Sequence, residues 1–129
     1  MSRSLFLLIT AILALLFGAL MFLAPSLAAQ GFGLVRSVGT DALFRILGAT
    51  LLSLAVLNFL VRNQPTSDTL TAVLWTDVAT HGIGLIADLW SVSAGAFSFA
   101  SALPGLIVHL FVGIGALFYI LRSEPAVRA

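Results

Sequence analysis

The sequence predicts an all-α integral membrane protein, a bundle of four transmembrane helices that run up, down, up and down with both termini cytoplasmic. Of its 129 residues, 60% are hydrophobic and only 9% are charged, whereas soluble chains carry about 25% charged residues. The apolar residues fall into four runs of about 20, the length that a helix needs to cross a bilayer. No run alternates apolar with polar residues as the strands of a membrane β-barrel do, so we expect helices.

The composition also excludes several classes of protein. Low hydrophobicity and high net charge keep a chain disordered, and this chain has the opposite character. The absence of cysteine excludes a disulfide scaffold and a thiolate metal site. A net charge of +1 provides no basic surface for a nucleic acid. We therefore expect one integral membrane domain, residues 1–129, in contact with the lipid bilayer.

The four spans are expected at about residues 5–24, 42–61, 70–90 and 102–121. The first span contains no charge, the second contains only Arg45, and the fourth contains one histidine, His109. The third span is the most polar, because it carries Asp77, His81 and Asp88. The connection between the first two spans contains several glycines and is apolar. Its apolar character predicts a short helix at the membrane interface.

The first span has some features of a secretory signal peptide, since Arg3 precedes it and the small residues of Pro25-Ser26-Leu27-Ala28 follow it. Its apolar stretch of about 20 residues is longer than the roughly 7 to 15 of a signal peptide. We therefore expect a transmembrane helix that is retained.

The arginines predict the orientation. With four spans, the N-terminus, the second connection and the C-terminal tail share one side, which holds Arg3, Arg62, Arg122 and Arg128. The opposite side holds Arg36, with Arg45 just inside the boundary. Because positive residues concentrate in cytoplasmic segments, we expect both termini on the cytoplasmic side of the membrane.

The ionisable residues of the third span share one face. A helix advances by about 100° per residue, so positions i, i+4, i+7 and i+11 form a stripe. In the third span that stripe is Asp77, His81, Gly84 and Asp88. Ionisable residues inside a bilayer are rare, usually face the interior of the bundle and are candidates for function.

Two other spans carry stripes that could face this one. In the fourth span the stripe consists of His109 and small residues, namely Ala102, Gly105, Gly113 and Ala116. Small residues allow helix backbones to approach closely in lipid. In the second span, Arg45 lies one turn from Asp41 and shares a face with Gly48.

Depth along the helices predicts which polar residues meet. At about 1.5 Å per residue, Arg45 and Asp88 both lie within roughly one turn of the outer boundary, so we expect them to form an ion pair, with Asp41 as the alternative partner of Arg45. Asp77 and His81, one turn apart, are expected to form a hydrogen bond. Asn58 lies near the depth of Asp77 and is expected to bond between helices.

The two histidines leave redox chemistry open. His81 and His109 with glycines beside them are what a bis-histidine haem b requires, because imidazoles ligate the iron axially. Asp77, His81 and His109 would instead supply the two imidazoles and one carboxylate that non-haem iron enzymes use. A further interpretation is proton-coupled transport along these groups, some of which change charge near neutral pH.

Three segments of the chain are similar to known proteins. They are Phe17-Gly18 followed by Phe22 and Pro25, then Phe44-Arg45-Ile46-Leu47-Gly48-Ala49-Thr50-Leu51-Leu52, and Leu57-Asn58 followed by Arg62-Asn63. With these segments the chain resembles small bacterial four-helix membrane proteins that are grouped as a domain of unknown function. The resemblance implies a four-helix inner-membrane protein and implies no activity.

From these features we expect a non-catalytic membrane protein with no catalytic residues and no cofactor. Arg45, Asp77, His81, Asp88 and His109 would line a polar interior. That interior would bind a small ligand or support a larger membrane complex, with the chain as an accessory subunit or a homo-oligomer. The alternatives are the haem b or metal redox protein and the small proton-coupled transporter.

Overall fold

The computed structural model describes residues 1–122, and within them the chain is all-helical. It contains five helices, α1 (Arg3–Leu23), α2 (Pro25–Gly31), α3 (Val38–Val61), α4 (Asp68–Ser93) and α5 (Phe99–Arg122). Four of them, all except α2, are long and apolar enough to cross a membrane. These four include the predicted spans to within one residue and extend most of them by a few residues at either end.

Serines precede all four long helices. The side-chain oxygens of Ser2, Ser37, Ser67 and Ser98 each accept a hydrogen bond from the backbone N–H three residues later. Such caps satisfy one of the N–H groups that the first turn of a helix leaves without a partner. The short helix α2 begins with Pro25 at its first position, where proline is favoured because its missing N–H would have no partner.

Two glycines end helices by turning the chain. Gly33 follows α2 and Gly95 follows α4, and both have φ of 73°, a conformation that side chains with a Cβ rarely adopt. In each case the next residue donates its N–H back into the helix, Leu34 to the Ala29 carbonyl and Ala96 to the Ser91 carbonyl, both at 2.9 Å. These bonds are the usual glycine helix end.

The helices α1 and α3 form a closely packed antiparallel pair. Ser4 donates to Asn63 at one end of the pair, and Ser26 donates to Asp41 at the other. In the middle the two backbones touch at glycines, since a Cβ placed on Gly48 would lie 2.8 Å from the Gly18 carbonyl oxygen. The sequence segments that contain these glycines are therefore packing elements.

The helices α4 and α5 form a second antiparallel pair, and contacts between the two pairs are few. The pairs meet in an apolar cluster formed by Phe6, Leu7, Leu70, Leu74, Val112 and Ala116. Near that cluster, Arg3 donates to the Gln64 carbonyl and Tyr119 donates to the Met1 carbonyl. The start of α1, the α3–α4 connection and the last turn of α5 therefore lie at one end of the molecule, here called the N-terminal end.

Candidate functional site

The two histidines contact each other across the α4–α5 pair. The Nδ1 atoms of His81 and His109 lie 2.9 Å apart, a hydrogen bond in which either ring can donate. Gly84 makes room for the His109 ring, because a Cβ there would lie 2.7 Å from Nε2 of His109, whereas a Cβ on Gly113 would make an ordinary contact, 3.5 Å from the His81 Cβ. The polar stripe of α4 thus faces the small-residue stripe of α5.

Asp88 extends this contact toward the other end of the pair. Its Oδ2 lies 3.6 Å from Nε2 of His109, which is an ion-pair distance when the imidazole is protonated and is too long for a hydrogen bond. Gly105 lies beside the same carboxylate oxygen. About a fifth of each side chain is exposed, 22% for His109 and 20% for Asp88. The line Asp88–His109–His81 is therefore only partly covered by the described chain.

Asp77 forms its hydrogen bond with α3, whereas His81 contacts α5. Nδ2 of Asn58, on α3, donates to Oδ1 of Asp77 at 3.1 Å and also to the Leu54 carbonyl at 3.2 Å. The expected bond between Asp77 and His81 was therefore wrong. Four residues turn a helix about 40° past a full turn, and this rotation directs Asp77 toward α3 and His81 toward α5.

Arg45 lies outside the polar line, and the expected Arg45–Asp88 ion pair was wrong. Its side chain is exposed on α3, and within residues 1–122 it forms no ion pair. Asp41, the alternative partner, instead accepts from Ser26 at 2.8 Å and 3.0 Å. The reason is the close approach of Gly48 to α1, which sets the rotation of α3 and leaves the Arg45 side chain exposed.

The arrangement does not fit a haem between the histidines. Two nitrogens that share one metal ion stand about 4 Å apart, since each metal–nitrogen bond is about 2 Å long. The nearest nitrogens are 2.9 Å apart, and the His109 ring itself occupies the space over Gly84. The set Asp77, His81 and His109 is also not gathered, and no group of three such ligands is placed around one point in residues 1–122.

A groove of about 560 Å³ lies away from these polar residues, between α1 and α5 at the N-terminal end. Its walls are apolar and aromatic, with Phe6, Phe111 and Phe118 among them, and Arg122 stands at its rim. The polar residues named from the sequence do not line this groove. The candidate site is therefore described by the contacts among those polar residues, and the groove is not part of it.

Comparison with known proteins gives no match. No protein-family model, no curated protein and no solved structure matches this chain. The resemblance to small four-helix membrane proteins therefore stays a prediction.

Sequence reasoning did not single out Thr10 on α1, which is 2% exposed. It also missed three pairings, which are Asn58 with Asp77, His81 with His109, and Asp88 with His109. Asn58 was expected to form a hydrogen bond between helices. Because it lies at nearly the same depth as Asp77, depth alone could have identified Asp77 as its partner. Asn58 and Asp77 are each 1% exposed.

Proposed function

We propose that this chain is a non-catalytic integral membrane protein of the bacterial cytoplasmic membrane. Its polar residues on α4 and α5 would contact a larger membrane complex, in which the chain is an accessory subunit, or would bind a small ligand. Arg45 lies outside that surface and Asp77 is buried against α3, so the proposal rests on His81, Asp88 and His109. The four spans would alternate in direction, as an up-down bundle does.

The observation that carries this proposal is the partial exposure of Asp88 and His109 within helices that are otherwise apolar. Polar and ionisable side chains are costly where they face lipid, and they usually face protein or a water-filled cavity. The described chain covers these two side chains only in part. A partner helix or a bound polar molecule would cover the rest.

The first experiment tests for that partner. The full chain, with an affinity tag and expressed at low level, would be extracted in mild detergent and weighed by native mass spectrometry. We expect a mass above that of the tagged chain itself, which is 13.5 kDa plus the tag, from a second polypeptide or a bound small molecule in fixed ratio, and we expect His109→Leu to weaken that association. A chain recovered alone and without bound molecules contradicts the proposal, as does a haem absorption band that disappears in His81→Gln and His109→Gln.

The proposed orientation places both termini in the cytoplasm. It is supported by the N-terminal end, which brings Arg3 and Arg62 together with the last turn of α5, where Arg122 lies, whereas Arg36 and Arg45 lie toward the opposite end. Positive residues of this distribution favour a cytoplasmic location for the end that is richer in arginine.

Cysteine labelling tests the orientation directly, because the chain has no cysteine of its own. Val35 and Pro65 are both exposed and lie in connections at opposite ends. In intact cells, Val35→Cys should react with a membrane-impermeant thiol reagent, and Pro65→Cys should react only after lysis. Reaction of Pro65→Cys alone in intact cells would reverse the proposed topology.

Proton-coupled transport is the second candidate, and the contiguous line Asp88–His109–His81 is the observation that favours it. Imidazoles in contact can pass a proton because each ring nitrogen either donates or accepts. Purified protein in liposomes that contain a pH-sensitive dye should then show proton flux, which His109→Leu abolishes. Flux equal to that of empty liposomes would exclude this candidate.

A further inference from the structure

Three buried polar side chains lie outside the histidine line, and they come from three different helices. They are Thr10 on α1, Asn58 on α3 and Asp77 on α4, with 2%, 1% and 1% exposure. Within residues 1–122 these are the polar side chains that are buried to this degree. Asp77 is therefore a carboxyl group in the interior of helices that are apolar enough to span a membrane.

The packing of the helices brings Asn58 and Asp77 together, and helical register places Thr10 at a similar level of the bundle. The apolar cluster at the N-terminal end includes Phe6 and Leu7 of α1 and Leu74 of α4, with Val61 of α3 packed against it. Each polar residue lies on the same face of its helix as one of these apolar residues, about one turn further from the N-terminal end, because the α-helix repeats every 3.6 residues. Thr10 follows Phe6 and Leu7. Asp77 follows Leu74, and Asn58 precedes Val61.

Each of the three side chains leaves one oxygen without a hydrogen-bond partner among the described residues: Oγ1 of Thr10, Oδ1 of Asn58 and Oδ2 of Asp77. Hydroxyls on membrane helices commonly donate to the carbonyl four residues back, as those of Thr50 and Thr76 do here. The Thr10 hydroxyl does not. Buried polar atoms without partners cost free energy, so the site requires something that the ionised side chains do not supply.

The missing component must bring positive charge. An ionised carboxylate in an apolar interior is costly unless it is paired, and among residues 1–122 no arginine, lysine or imidazole pairs with Asp77. The neighbouring faces of α1, α3 and α5 present neutral side chains, Phe6, Leu7, Val61, Val112 and Ala116. Along α4 the next titratable group is His81, one turn away in sequence, and it is bonded to His109.

We propose that Asp77 is a proton-binding site, held as a carboxylic acid by Asn58. The Asn58 amide N–H donates to Oδ1 of Asp77, and the proton on Oδ2 is donated to Oδ1 of Asn58, so that the acid and the amide bond to each other twice. Both unpartnered carboxyl and amide oxygens gain a partner in this way. The inference depends neither on the accessory role nor on transport.

A metal cation is the alternative occupant, and the oxygen count disfavours it. Hard cations take about six or more oxygen ligands, whereas this site offers three side-chain oxygens between helices whose backbone carbonyls are already bonded. A proton requires one acceptor. The two occupants are distinguishable because a proton makes Asp77 a neutral acid and a metal cation leaves it a carboxylate.

Infrared spectroscopy of the full chain in lipid nanodiscs tests the proposal. At neutral pH and in sodium-free buffer, the wild type should show the carbonyl band of a carboxylic acid, which shifts on exchange into D₂O. The band should be lost in Asp77→Asn, whose side chain keeps the same shape, and retained in the control Asp88→Asn. Asn58→Leu should shift its frequency, because it removes the hydrogen-bonding neighbour of the acid.

A titration of the wild type keeps the test independent of whether the variants fold. The acid band should be replaced by carboxylate bands as the pH is raised well above neutral. Carboxylate bands at neutral pH with no acid band that depends on Asp77 would overturn the proposal. Carboxylate bands of Asp77 that respond to added sodium ions would assign the site to a metal cation instead.

Discussion

Replacement of Gly48 by alanine should weaken the packing of α1 against α3 and lower the free energy of unfolding by about 1–3 kcal/mol, the range for overpacked sites. The added Cβ would lie 2.6 Å from the Phe22 nitrogen and 2.8 Å from the Gly18 carbonyl oxygen. Both are backbone atoms, so no side-chain rotation relieves the overlap and the helices must move apart. The measurement is unfolding in mild detergent by added SDS.

Gly82 provides the matched control for this variant. It also lies within a long helix, and a Cβ added there would meet nothing within 4 Å. Gly82→Ala should therefore leave the free energy of unfolding unchanged or raise it slightly, since alanine loses less backbone entropy in a helix than glycine. Equal losses in the two variants would show that the Gly18–Gly48 contact does not hold α1 against α3.

Replacement of His109 by leucine should destabilise the protein by about 1–3 kcal/mol, the cost of leaving a buried polar group without its partner. The substitution removes the hydrogen bond to His81 and the contact with Asp88 together. His109→Gln should lose less, because its amide retains both a donor and an acceptor for these neighbours.

A double-mutant cycle separates the His81–His109 contact from general loss of packing. His81→Leu and His109→Leu together should cost less than the sum of the single changes, because the double variant leaves neither imidazole without its partner. Hydrogen bonds between membrane helices are worth about 0.6 kcal/mol on average and about 1.7 kcal/mol at most. The interaction energy between His81 and His109 in this cycle should therefore not exceed the larger of these values. Strictly additive losses would mean that the two rings do not stabilise each other.

Local features were predictable from the sequence because each depends on only a few neighbouring residues. The four apolar runs predicted four long helices, and all four are present with nearly the expected bounds. A short helix was also expected after the first span and is present as α2. The face shared by His81 and Asp88 follows from helical periodicity, and both of these residues contact His109.

The partners of the polar residues were decided by tertiary structure. Depth predicted that Asp88 pairs with Arg45, and one-turn spacing predicted that Asp77 bonds to His81. In the structure, Asp88 contacts His109 and Asp77 bonds to Asn58. Depth and spacing leave open how each helix is rotated about its axis, and a rotation of about 40° over one i to i+4 step is enough to direct a side chain to another helix.

That rotation is set by contacts between segments far apart in the chain. The approach of Gly18 to Gly48 turns the face of α3 that carries Gly48 toward α1 and leaves Arg45 exposed. Gly84 allows α4 and α5 to pack with their imidazoles in contact, since a Cβ there would overlap the His109 ring. The sequence by itself therefore determined the helices and their polar faces. Which faces meet was decided by the packing of the backbones, because only there do the sizes of residues on different helices constrain one another.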